Sequence, residues 1–128
     1  MRLLLDTHAL LWFLEGSTQL SGFAKDAIED ESNEKFVSHA TPWEVAIKVH
    51  IGKLILGVAY QDLFPTIVLE NGFGFWPSDF RHYYNLLQLP RHHGDPFDRL
   101  MIAQALVDDL TLVTCDTKFP QYGVRTLW

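Results

Sequence analysis

The sequence predicts an α/β protein, a three-layer α/β/α fold around a mostly parallel central sheet of about five strands. Two observations carry this expectation. Short apolar runs alternate with helix-period segments from one end of the chain to the other, a pattern that calls for right-handed crossovers and a sheet covered on both faces. Nothing between residues 1 and 128 reads as a linker, an internal repeat or a low-complexity segment, so one domain around one core is expected over the whole length.

Met1–Leu5 is an apolar strand ending at Asp6, and the apolar positions Leu10, Leu11, Phe13 and Leu14 beyond it fit a helix. Gly16-Ser17 breaks that helix, and Ser21 opens a second one in which Phe23, Ala24, Ala27 and Ile28 share a face before the charged Glu29–Glu34 stretch. Lys35–Ser38 is the next strand. Thr41-Pro42-Trp43-Glu44 has the form of a helix start, with threonine as cap, proline at the first helical position and glutamate three residues after the cap; Val45, Ile47 and Val49 carry it toward Gly52. A helix over Tyr60–Asn71, started or interrupted by Pro65, is stopped by Gly72 before the strand Phe73–Trp76. Pro77-Ser78-Asp79 opens another helix, Leu89–Gly94 is a loop, and Asp95-Pro96-Phe97-Asp98 opens a helix that reaches Asp108. Leu110–Thr114 is a buried strand, Lys118–Gly123 a turn and Val124–Leu127 the last strand.

No stretch approaches the roughly 20 apolar residues of a membrane span, so no membrane association is expected. The single cysteine, Cys115, has no partner for an internal disulfide and no neighbouring base; it reads as strand filler in a cytoplasmic protein. A net charge of −6 speaks against a protein that coats nucleic acid through a basic stripe. With Asp6, Glu44, Asp95, Asp98 and Asp116 set aside as one cluster, the remainder is close to neutral, and bound divalent cations would offset much of the cluster.

Those five acids are the chemistry-bearing feature. Asp6 and Asp116 follow strands, while Glu44, Asp95 and Asp98 lie in the first turns of helices that begin on the same side of the sheet, where open α/β folds bind ligands. Carboxylates crowded on one rim repel one another, and a hard divalent cation resolves the conflict. Magnesium takes oxygen ligands and keeps several waters; it can lower the pKa of an attacking water and neutralise charge on a phosphodiester transition state without a protein nucleophile. Each acid also has a structural explanation: Asp6 and Asp95 as helix caps, Glu44 as the partner of Thr41 in a capping box, Asp98 as a charge at a helix N-terminus, and Asp116 as a turn residue. Their collection on one rim is what those separate explanations leave unaccounted for.

Four blocks of the chain also resemble a known family: "LLLDTHALLW" at 3–12, "HATPWEVAIKVHIGKL" at 39–54, "HHGDPFDRLMIAQAL" at 92–106 and "LVTCDTKF" at 112–119. In order and in spacing they are similar to the PIN domain, and specifically to VapC-type toxins of type II toxin–antitoxin systems. The resemblance implies a compact endoribonuclease using Mg²⁺ or Mn²⁺, a homodimer, and a cognate antitoxin that holds it inactive. Carried over by position, it makes Asp6, Glu44, Asp98 and Asp116 the metal-binding and catalytic acids, with Asp95 an accessory ligand or a cap.

Thr7 and Thr114 are accessory candidates that could hydrogen-bond a carboxylate or a metal water, and Arg99 one that could contact phosphate or lock a neighbouring acid. Lys48 and Lys53, with Arg91, His92 and His93, are candidates for a basic rim that positions the RNA backbone. His92-His93 does not have the spacing of a zinc site. Trp12, Phe13, Trp43, Phe73, Phe75, Trp76, Phe97 and Trp128 read mostly as core and not as base-stacking surfaces. The competing functions are a metal-binding receiver-like signalling module and a catalytically silent interaction protein. The receiver requires paired acids at the first strand and a lysine ending the last, whereas Asp6 stands alone and the last strand runs into Trp128.

Overall fold

The computed structural model describes residues 1–128. Five strands, β1 (Arg2–Leu5), β2 (Glu34–Ser38), β3 (Gly74–Trp76), β4 (Thr111–Val113) and β5 (Thr126–Leu127), form one sheet in the order β3-β2-β1-β4-β5. Every neighbouring pair is parallel, so the sheet is more uniform than the mostly parallel one expected. The chain steps outward from β1 to β3 and then returns to the other side of β1, so strand order reverses between β1 and β4. Leu5 pairs with Val37 and with Val113, which fixes the carboxyl ends of the three central strands at one level.

The three leucines of β1 are fully buried, Leu3 and Leu5 in one apolar layer and Leu4 in the other. This is the continuous apolar run of a parallel strand covered on both faces. On the first face lie helix α1 (Thr7–Glu15), α2 (Gly22–Glu29) and Val45 of α3 (Ala40–His50). The 60–70 segment packs there too, as the short helices α4 (Tyr60–Asp62) and α5 (Val68–Glu70) on either side of a wider turn. The second face is covered chiefly by α7 (Pro96–Asp108), against which α6 (Phe80–Gln88) packs. No helix is long and apolar enough to cross a membrane.

Three local expectations are corrected. The helix expected over 60–71 is broken at Phe64, whose backbone is extended (φ −117°, ψ 118°), because a residue before proline is pushed out of the helical region. Phe23 does not share the buried face of Ala24 and Ile28 but is exposed, one position round the helix from it. Helix α3 begins at Ala40 and not at Thr41: Ser38 at the end of β2 accepts a hydrogen bond from the Ala40 N–H at 3.0 Å and ends the strand directly in the helix. Thr41 is therefore inside the first turn, with a buried hydroxyl that has no partner, and Glu44 is not the partner of a capping box.

Helix α7 is fastened along its length. Asp95 caps it, accepting from the N–H groups of Phe97 and Asp98 at 2.9 Å each. Midway, the buried Gln104 accepts a hydrogen bond from Ser38 at 2.7 Å and donates to the Trp76 carbonyl at 3.2 Å. At its last turn Asp108 joins His82 (2.6 Å), the Trp76 indole N–H (2.7 Å) and Arg81 (3.0 Å). Burial works against the charge of Asp108, but these hydrogen bonds and the nearby positive charge outweigh it and hold its pKa below the usual carboxylate range.

Candidate active site

Asp6 directly follows β1 and Asp116 lies just past β4; Asp95 as the N-cap of α7 and Asp98 in its first turn reach the same edge, as does Glu44, which the earlier start of α3 puts in that helix's second turn and not in its first. All five acids line one cleft of about 340 Å³, with Thr7, His8, Trp12, Lys48, Cys115 and Phe119. The cleft sits where strand order reverses, between β1 and β4. A larger open groove of about 600 Å³ lies at the opposite ends of β2 and β3, between residues 28–36 and 70–74; it contains none of the five acids.

The structural and the chemical readings of the acids coexist because a carboxylate has two oxygens. Asp6 caps α1 with one oxygen, which accepts from Ala9 N–H at 2.7 Å. Asp95 uses a single oxygen for both of its capping bonds, and Asp116 accepts from Lys118 N–H at 2.9 Å with one of its own. Glu44 is almost wholly buried; one oxygen accepts the Thr7 hydroxyl at 2.6 Å and the other pairs with Lys48 at 2.5 Å.

The crowding has an electrostatic signature. Asp98 is pushed up to about 7, first by burial and then by the charges of Asp95, Glu44, Asp6 and Asp116. Asp6 is also raised, chiefly by burial, with Thr114, the Ala9 N–H and His8 working in the opposite sense. Lys48 is raised: its partial burial opposes the charge, but the hydrogen bond to Glu44 and the charges of Glu44, Asp95 and Asp98 outweigh that. As the side chains stand, no three of them are close enough to hold one ion directly. At about 30 Å³ per water, the cleft has room for roughly ten waters, enough for a hydrated cation contacted partly through its own shell. An all-oxygen, strongly anionic donor set of this size fits a hard divalent ion.

The accessory candidates separate. Thr7 holds Glu44, and Thr114 stands beside Asp6 while accepting from the Asp116 N–H at 3.1 Å. Arg99 is turned away from the acids: its guanidinium is buried and donates to the Leu89 and Pro90 carbonyls and the Tyr122 hydroxyl, so it clamps the 89–94 loop. Consecutive residues on a helix diverge by about 100°, which puts Asp98 and Arg99 on different sides of α7. Cys115 is not strand filler, since β4 ends at Val113 and the thiol is exposed at the cleft. Trp43 is not core; it is exposed and meets Phe97 edge-on at 5.1 Å. Sequence alone offers His93 only as part of a basic rim, yet its Nε2 lies 3.4 Å from Asp98 and its Nδ1 2.6 Å from the Tyr122 hydroxyl. Tyr122 is 29 residues from His93, and no local pattern signals their contact.

The model of the PIN domain family matches residues 3–124. No curated protein matches the sequence. Among solved structures, the fold is similar to a chain of VapBC2 from Rickettsia felis bound to a DNA fragment from their promoter, with TM-score 0.70 and 13% identity over 99% of this chain and 98% of that one. It is also similar to a chain of VapBC-1 from nontypeable Haemophilus influenzae (TM-score 0.66, 16% identity, 99% and 97% covered). A third is a chain of FitAcB from Neisseria gonorrhoeae (TM-score 0.65, 19% identity, 98% and 96% covered).

Proposed function

The chain belongs to the PIN domain family, and from that premise we propose that it is a metal-dependent endoribonuclease, the toxin of a toxin–antitoxin pair acting in the cytoplasm. The observation that carries the reading is the gathering of Asp6, Glu44, Asp95, Asp98 and Asp116 in one cleft at the switch point of a parallel sheet. Asp6, Asp98 and Asp116, with Glu44, are the residues that would hold Mg²⁺ or Mn²⁺; Asp95 serves mainly as the cap that starts α7. When bound, such an ion supplies an activated water and neutralises charge on the phosphodiester undergoing hydrolysis. The chain's own part is orientation: Thr7 fixes Glu44, Thr114 steadies Asp6 and the turn carrying Asp116, and the apolar wall from Phe119 and Trp12 limits bulk water. The direct test is incubation of purified protein with a mixed RNA pool, with Mg²⁺ or Mn²⁺ and then in excess chelator, followed by mapping of the cut ends. Metal-dependent ends at defined positions support the reading, and an intact pool in both arms rejects it.

The basic rim divides into two lysines of different character. Lys53 is exposed beyond the end of α3, and Lys53→Ala is expected to weaken RNA binding and reduce the salt slope by about one, with metal affinity unchanged. For Lys48 the expectation widens, because Lys48 is also a cation seated on Glu44. Lys48→Ala is expected to tighten Mn²⁺ binding as well as to weaken RNA binding. Calorimetric metal titration and RNA binding across a salt series separate the two lysines; identical metal affinities in both variants would mean that Lys48 does not compete with the ion for Glu44.

Partners fit apolar surfaces away from the cleft. Phe80, Tyr83, Tyr84 and Leu87 form an exposed stripe on α6 at helical spacing. Together they offer roughly 500 Å² per copy, well over half of what each side of a standard interface contributes. This is the surface we assign to the homodimer: Leu87→Glu is expected to halve the mass seen by sedimentation, and an unchanged mass would place the contact elsewhere. An antitoxin segment suits the apolar groove of about 200 Å³ bounded by Leu11, Leu14, Leu56, Val58, Leu63 and Ile67. Helix α1 lines both this groove and the acidic cleft, so a segment seated there and bearing arginine can approach the carboxylates. Co-expression with the product of the adjacent open reading frame, read out as growth and complex mass, tests that assignment.

A further inference from the structure

The carboxylate of Asp98 has a single hydrogen-bond partner, Nε2 of His93 at 3.4 Å. Whether that nitrogen carries a proton is decided on the other side of the ring. The Tyr122 oxygen accepts from the His93 backbone N–H at 3.0 Å and from Arg99 at 3.3 Å, which occupies its lone pairs. Its own proton then has two outlets, Nδ1 of His93 at 2.6 Å and the His93 carbonyl at 3.5 Å. The short one wins on geometry, so Nδ1 is the acceptor and the neutral ring carries its hydrogen on Nε2, facing Asp98. His93 is largely buried, and Arg99 locks Tyr122 while also holding the loop that carries His93 through the Leu89 and Pro90 carbonyls.

We propose that His93 is a positioning residue for Asp98, set in the Nε2–H tautomer by Tyr122 and Arg99, and that it orients one carboxylate oxygen so that the other faces the cleft. The proposal rests on the nuclease reading of the cleft, but concerns only how this chain aims its own acid. An acid surrounded by four others has no other donor to fix its rotamer, and partners of this outer kind commonly change activity by 10–100-fold.

The two amide isosteres of histidine separate the halves of the relay. His93→Gln keeps an N–H at the reach of Nε2, whereas His93→Asn keeps one only near Nδ1. At equal thermal stability, His93→Asn is expected to lower kcat about tenfold with the KM for RNA unchanged, and His93→Gln to stay within about threefold of wild type. Crystal structures of the metal-free variants should show Asp98 in a different rotamer in His93→Asn and in the native one in His93→Gln. Equal kcat in the two variants, or an unmoved Asp98 in His93→Asn, overturns the proposal. Should the wild type leave RNA uncut, the nuclease reading fails and the rotamer comparison still decides the positioning role.

Discussion

Asp98→Asn is expected to abolish RNA cleavage, by about three orders of magnitude or on the order of 4 kcal/mol of transition-state stabilisation, while leaving a folded and more stable metal-free protein. The stability half follows from the crowding. A carboxylate whose folded-state pKa is raised to about 7, against an ordinary 3.8, contributes fully below pH 4. Its contribution is lost as pH rises toward 7 and is constant above. Three units correspond to about 4 kcal/mol at most, and solvent reaching the partly exposed side chain reduces this to about 2 kcal/mol. Urea denaturation in excess chelator should therefore find Asp98→Asn more stable than wild type at pH 8 by about that amount, with the gap nearly closed at pH 4. Cleavage by Asp98→Asn at the wild-type rate, or a gap that ignores pH, would sink the metal-acid assignment.

Asp108→Ala should have the largest effect on stability, with the opposite functional profile. It removes the acceptor for the partly buried Trp76 indole and for the fully buried His82, leaving both donors unpaired. The cost is about 3 kcal/mol, or roughly 10 °C in melting temperature for a domain of this size. Because the folded pKa of Asp108 is lowered, its contribution persists above the unfolded value and is lost only as pH falls below about 4. Ten residues of helix, about 15 Å, separate it from Asp98, so cleavage per folded molecule should be unchanged below the melting transition. A melting temperature within 2 °C or so of wild type would mean that the two donors find water instead.

The fold was legible because its signals are local and periodic. Three leucines between Arg2 and Asp6 describe a strand buried on both faces, and Asp95-Pro96 names the start of α7 to the residue. The convergence of the five acids in one cleft was legible for a different reason: in a parallel sheet, every strand end and following helix start faces one edge. What escaped was set by tertiary contact. Thr41 has every local feature of a cap, but Ser38 performs that task from the end of β2. Arg99 and Asp98 are neighbours in sequence and diverge in space, while His93 and Tyr122 meet across 29 positions. The pairing of Lys48 with Glu44 also went unread: the two stand at i, i+4 on one helix, but that spacing alone does not say that the acid captures the lysine.

The Gln104 contacts with Ser38 and Trp76 make α7 behave as a ruler with its stop at the midpoint. One residue of axial slip moves a helix by about 1.5 Å, and that slip would break both hydrogen bonds at once. Asp98 lies six residues, about 9 Å, up the helix from this stop. The spacing between the acid on α7 and the acids on the sheet edge is therefore gauged in the interior, by two side chains that solvent does not reach.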